Sequence, residues 1–292
     1  EIHFCGDEDD GHMKKDKWVK AYSNTQYGED DDDNDKYWFW INKSGDVYVP
    51  DDSKETGIGA TRYKLDDCEG DTFDDQFKED NYDDDDNTIG LTMYEKKINS
   101  KTYYFNEDGE MLYGWHEESG DVFYLGTEDE GWRAESQWLW LEKPGDADDD
   151  DDEEQILDCA DEDECDDEGW YWFGSSGKMY KDAGKKKVNG RYYMFNEHGQ
   201  MLYEWINGKA VSAATPGNAH LDGNASGSTA VEDMLYYNVV EEGWRGNGWY
   251  EIDGSEDVGE DSDTDWYFFD DGEAERADAG KDFVTVDGDG AD

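Results

Sequence analysis

Lys96 to Trp115 reads KKINSKTYYFNEDGEMLYGW, and Lys186 to Trp205 reads KKVNGRYYMFNEHGQMLYEW. The two stretches align position for position: Tyr103 answers Tyr193, Phe105-Asn106-Glu107 answers Phe195-Asn196-Glu197, Gly109 answers Gly199, and Trp115 answers Trp205. Self-similarity of this quality marks a repeat protein, in which each unit buries its apolar face only against its neighbours. Within one copy, Tyr103-Tyr104-Phe105 reads as a short aromatic strand and Asn106 to Gly109 as a turn. Met111-Leu112-Tyr113 then starts a return strand, which completes a β-hairpin.

Diverged copies lie on both sides. Tyr37 to Ile41 runs to a turn at Lys43 to Asp46, Trp170 to Phe173 to one at Ser175 to Gly177, and Trp266 to Phe269 to one at Asp270 to Gly272. Val122 to Leu125 follows a turn at Glu118 to Gly120, and Gly131-Trp132-Arg133 is echoed by Gly243-Trp244-Arg245. A lone two-stranded hairpin is marginal in water, so these units must stack. The expected fold is therefore all-β, a row of tandem aromatic hairpins with long acidic insertions. The boundaries read as an N-terminal acidic segment at 1–35 and a first hairpin group at 36–115, with an insertion at 51–90. A second group at 116–208 carries an acidic insertion at 146–168, and a small-residue connector at 209–235 leads to a third group at 236–292.

Composition agrees with many small clusters rather than one large core. The chain has 13 Trp, 20 Tyr and 11 Phe against 10 Leu and 8 Ile, so burial must come from flat rings that keep a polar edge. A mean hydropathy of -1.14 with a net charge of -56 would suit disorder, but the aromatic content argues against it. The acids concentrate in runs, at Glu29 to Asp33, Asp83 to Asp86, Asp148 to Glu154 and Asp161 to Glu168. They read as solvated, self-repelling loops. The alternative is that Ca²⁺ is held between them, although no segment has the spacing of a calcium loop. So anionic a surface excludes nucleic acid as a partner, and no apolar run is long enough for membrane insertion. Cys159 and Cys165 are expected to form a disulfide inside an acidic loop, with Cys5 and Cys68 left as a second pair. Disulfides suit a secreted or cell-surface setting.

The order of aromatic strand, N/D-x-x-G turn, hydrophobic pair and Gly-Trp resembles the cell-wall-binding repeats of Gram-positive surface proteins, also called choline-binding or glucan-binding repeats. Tyr103 through Gly114-Trp115 carries the resemblance best; Tyr193 through Trp205 follows, with Glu204 in place of the usual Gly. The resemblance implies a β-solenoid with ligand sites between consecutive hairpins, where the Trp of one and the aromatic strand of the next form a cage. It makes Trp115 with Phe123 and Tyr124, Tyr103, and Trp205 with Tyr193 the candidate ligand-binding residues, facing choline or a sugar. Taken one at a time, the same rings read first as the core of the stacked hairpins.

Catalytic signatures do not appear. G-x-S-x-G, H-E-x-x-H and phosphate-cradling loops are missing from the sequence, and paired carboxylates are too common to be informative. His116 and His198 have Ile206 and Asp108 as repeat mates, so both are expected at the surface or an edge. Two functions follow. The first is a non-enzymatic extracellular protein that binds cell-wall or extracellular glycan through its aromatic sites. The second is a subunit of an extracellular filament or surface layer, built by head-to-tail self-association of uncapped repeats.

Overall fold

The computed structural model describes residues 2–6, 11–22, 36–50, 93–118, 120–142, 168–181, 183–196, 198–206, 234–253 and 264–275. Among them every regular element is a strand, and none is a helix. The chain divides into two compact units: Glu1–Ala160 with Trp172–Met179, and Asp161–Tyr171 with Tyr180–Asp292.

The first unit is a series of antiparallel hairpins. Strands β1 (Lys17–Tyr22) and β2 (Lys36–Ile41) pair with Trp18 opposite Trp40. Strands β3 (Tyr94–Ile98) and β4 (Lys101–Phe105) form the next, and β5 (Trp115–Glu118) and β6 (Asp121–Tyr124) the third. Then β7 (Gln137–Glu142) pairs with β8 (Glu168–Phe173), whose Trp172 and Phe173 belong to this unit. The second unit holds a three-stranded sheet of β9 (Ala183–Val188), β10 (Arg191–Phe195) and β11 (Met201–Leu202). Its five-stranded sheet has the order β12 (Glu204–Ile206), β13 (Leu235–Tyr237), β16 (Glu273–Ala274), β15 (Thr264–Asp270) and β14 (Gly248–Asp253).

The hairpin that dominates each main repeat closes one turn earlier than the sequence reading placed it. Asn99-Ser100 joins β3 to β4 with φ of 48° and 71°, and Asn189-Gly190 joins β9 to β10 with φ of 48° and 90°. Two consecutive positive φ values suit the right-handed twist of the flanking strands, which is why Asn-Gly is favoured there. The turn at Asn106 to Gly109 forms as well, but its return strand shrinks to the single bridge Phe105–Met111 in the first copy. In the second copy it is the two-residue β11. The amide of Asn106 is the reason the turn holds: its Oδ1 accepts the backbone N–H of Asp108 and Glu110, and its Nδ2 donates to Glu110 Oε2 at 2.8 Å. Asn42 and Asn196 accept backbone N–H groups of their own turns in the same way. The N-terminal segment, read as an acidic segment outside the hairpin groups, contributes β1 and so half of the first hairpin.

Five aromatic strands end at or next to a fully buried residue: Ile41, Phe105, Phe173, Phe195 and Phe269 each have no exposed surface. Burial of such a side chain contributes about 1.5–3 kcal/mol. Within the first unit, Trp18 and Trp40 of one hairpin pack with Ile98, Tyr103 and Phe105 of the next, the stacking expected of a repeat protein. Backbone bonds tie successive hairpins together: Met111 N–H donates to the Trp38 carbonyl at 2.9 Å and Arg133 N–H to the Thr102 carbonyl at 2.8 Å. The insertion at 51–90, the connector up to residue 233, the acidic runs up to Asp167, and Cys68, Cys159 and Cys165 lie outside the described residues. The last two connector positions, Met234 and Leu235, are not linker, since Met234 is buried and Leu235 opens β13. Cys5 is exposed and makes no disulfide among the described residues. No helix among them is long and apolar enough to cross a membrane.

Candidate aromatic binding clusters

Trp115 opens β5 and sits opposite Tyr124 on β6, so the hairpin register itself brings their rings to 5.1 Å at 60°. Phe173 adds a third ring, 5.9 Å from Trp115 and 6.2 Å from Tyr124. Trp115 and Phe173 are buried while Tyr124 is half-buried, so the cluster meets solvent on its Tyr124 side. The second unit repeats the pattern. Trp205 lies opposite Tyr236 at 5.2 Å and 61°, and Phe269 stands 5.5 Å from Trp205. Tyr236 stacks on Phe269 at 4.8 Å and 13°, and Tyr267 adds a further edge contact to Trp205. This second cluster is tighter. The Trp205 indole N–H is buried with no acceptor among the described residues, a loss that costs about 1–3 kcal/mol.

Rings of this kind offer a cation the negative face of their quadrupoles. Burial also raises the phenol pKa values well above the usual tyrosine range at Tyr236, and pushes Tyr237 up to about 12. Both tyrosines therefore stay neutral across the physiological range.

The residues singled out from the sequence fall in several different places. Trp115 and Tyr124 come together. Phe123 turns to the opposite face of its strand and packs 6.1 Å from His116. Tyr103 joins the preceding cluster, 4.8 Å from Trp18, and its hydroxyl pKa is raised by burial. Trp205 gathers Tyr236, Tyr267 and Phe269, while Tyr193 is buried on β10. Phe173, Tyr236 and Phe269 complete the two clusters and were not anticipated as site residues. Phe173 and Phe269 belong to aromatic runs plain in the sequence; what was missing was knowledge of which hairpin each run would meet. His116 and His198, expected at the surface or an edge, are buried instead. Burial pushes the His116 imidazole down to about 3, so it is held neutral in the fold.

A different aromatic surface lies on the outer face of β14 and β15. Trp249 pairs with Phe268 at 5.3 Å, and Trp249, Phe268 and the neighbouring Trp266 are all exposed. No group of three or more His, Cys, Asp or Glu side chains gathers in metal-binding geometry among the described residues.

Comparison with known families finds a choline-binding repeat at residues 95–138 and a cell-wall-binding repeat at residues 164–179. No curated protein matches the chain. Among solved structures, similarity extends to choline-binding protein F from Streptococcus pneumoniae in the presence of a peptidoglycan analogue. That match has 16% identity over 91% of this chain and 67% of that one, with a TM-score of 0.38. The choline-binding domain of Spr1274 from the same organism shows 22% identity over 37% of this chain and 92% of that one, with a TM-score of 0.24. The modular Cpl-1 endolysin complexed with a peptidoglycan analogue shows 19% identity over 39% of this chain and 25% of that one, with a TM-score of 0.27. At such identities and TM-scores these likenesses say nothing of ligand or activity.

Proposed function

We propose that this chain, which carries repeats of the choline-binding, cell-wall-binding family, is a non-enzymatic surface or secreted protein that holds choline-bearing cell-wall glycan. The trimethylammonium group would sit against Trp115 and Tyr124, and a second one against Trp205 and Tyr236. The observation that carries this reading is the recurrence of one arrangement: a Trp opposite a Tyr at 5.1 Å and again at 5.2 Å, each backed by a Phe from an aromatic strand. Trp115 and Tyr124 fall inside the matched repeat at 95–138, and Phe173 inside the one at 164–179. A quaternary ammonium ion has no hydrogen-bond donor and is weakly hydrated, so aromatic faces are its natural partners. An oxygen of the same ligand reaching the Trp205 N–H would satisfy a donor otherwise left without an acceptor.

The distances between rings are those of touching neighbours, so binding requires the rings to part and the ligand to take the place of ring-to-ring contact. The more open first cluster should therefore bind more tightly than the second. Choline titration followed by Trp fluorescence and calorimetry tests the reading. Saturable binding that loses its tighter class of site in Trp115→Ala and its weaker class in Trp205→Ala supports it. Flat emission with no heat at high choline overturns it.

A further inference from the structure

Two other tryptophans already carry a cation. Lys101 Nζ lies 2.9 Å above the ring centroid of Trp132, and Arg191 Cζ lies 3.4 Å above that of Trp244. Lys101 and Arg191 occupy the same place in the two main repeats, as the first residues of β4 and β10. Trp132 and Trp244 stand in the two Gly-Trp-Arg echoes. The contact is thus built twice, once in each unit, with the charge kept and the side chain changed.

Local structure makes the pairing reproducible. Arg133 N–H donates to the Thr102 carbonyl and Arg245 N–H to the Tyr192 carbonyl, both at 2.8 Å. Each Trp is therefore pinned beside the strand that starts with the cation. Gly131 and Gly243 precede the tryptophans with φ of 63° and 58°, and a Cβ at either would run into the Met111 or Met201 side chain. The loop carrying each Trp is seated by that methionine. Arg133 itself is engaged elsewhere, donating to Glu135 Oε1 at 2.7 Å and to the Tyr104 hydroxyl at 2.5 Å. Trp132 and Trp244 are half-buried and Lys101 and Arg191 exposed, so each cation can leave its ring without unpacking the fold.

We infer that Lys101 and Arg191 are built-in occupants of two cation sites, on the faces of Trp132 and Trp244, which take an external quaternary ammonium group only when the side chain moves away. One cation on a ring face excludes another by volume and by like charge. Exposed cation–π contacts are weak, so the block is a modest competitive one, and its removal should tighten binding at that ring roughly two- to fivefold. These residues would thereby decide which aromatic faces of the chain are open to ligand. The inference takes its ligand class from the function proposed above, but it concerns different rings.

The experiment follows indole N–H signals of ¹⁵N-labelled tryptophan in the full chain as tetramethylammonium chloride is added, against sodium chloride at equal ionic strength. Trp132→Phe identifies the signal in question. In Lys101→Gln the Trp132 signal should shift with an affinity roughly two- to fivefold tighter than in the unsubstituted chain. Lys101→Arg, which keeps the charge, should behave like the unsubstituted chain, and Arg191→Gln should release Trp244 alone. A Trp132 signal that responds alike in all three chains, or in none, overturns the inference. The Trp115 and Trp205 signals report separately: their silence would sink the proposed choline sites while leaving the Lys101 and Arg191 comparison to be read by itself.

Discussion

Glu204 carries a φ of 56° at the position where the first repeat has Gly114 at 78°. Both residues donate their N–H to a carbonyl across the hairpin, Glu204 to Asn238 at 2.8 Å and Gly114 to Gly126 at 2.9 Å. The backbone is the same in the two copies, but only one of them has the residue suited to it. A side chain in the left-handed region is strained by about 1–2 kcal/mol, against which glycine loses about 0.5–1 kcal/mol of chain entropy. Glu204→Gly should therefore stabilise the second unit by about 1 kcal/mol, seen as a higher urea midpoint. Glu204→Ala should not, because its Cβ keeps the strain; equal gains in both variants would show that the charge and not the φ is at fault.

His116 sets a pH limit on the first unit. Its pKa is lowered to about 3 in the fold from the ordinary 6.5, because burial disfavours the charged ring. The unfolded chain thus binds the proton first. The contribution is present in full above pH 6.5 and is lost as the pH falls toward 3, at up to about 1.4 kcal/mol per pH unit. Ile206, fully buried at the same repeat position, shows that the site accepts a hydrocarbon. His116→Ile should flatten this part of the acid limb in urea melts between pH 4 and 6. An unchanged slope would mean that the ring is already charged in the fold.

Tyr124 is the solvent-facing wall of the first cluster. Tyr124→Ala removes one ring and should weaken choline binding by about 0.5–2 kcal/mol, roughly two- to thirtyfold. Tyr124→Phe keeps the aromatic face and should remain within about threefold of the unsubstituted chain. Calorimetry with choline separates the two; a large loss in Tyr124→Phe would point to the hydroxyl rather than the ring.

Asn106 anchors its turn with one side chain serving three groups, two backbone N–H donors and the Glu110 carboxylate. Asn106→Ala leaves these without their partner, at a cost of about 1–3 kcal/mol. Met111 lies just past the turn and bridges Phe105, so loosening there should also reduce hydrogen-exchange protection at Met111. Unaltered exchange and stability would show that the turn is held by its neighbours instead.

The repeat, the all-β class and the aromatic core were legible because they are carried by local pattern: short aromatic runs, Asn-Gly and N-x-x-G turns, and a Trp at a fixed distance. Asn189-Gly190, between KKKV and RYYMF, is the strongest short hairpin motif in the chain, and it, not the later N-x-x-G turn, closes the main hairpin of the second repeat. The site was less legible. Phe123 and Tyr124 are chain neighbours, but alternation along β6 sends one ring toward His116 and the other toward Trp115.

The order of residues alone determined that this chain must bury rings from many short hairpins, since it has few aliphatics and a repeated aromatic block. It also marked several of the turns, those at Asn106 to Gly109 and Ser175 to Gly177 among them. Only tertiary packing decided that Phe173 completes the Trp115 pair, that His116 is buried neutral, and that Lys101 lies on Trp132. Those outcomes depend on the register with which one hairpin lands on the next. That register is set by contacts between residues far apart in the chain, about which local periodicity carries no information.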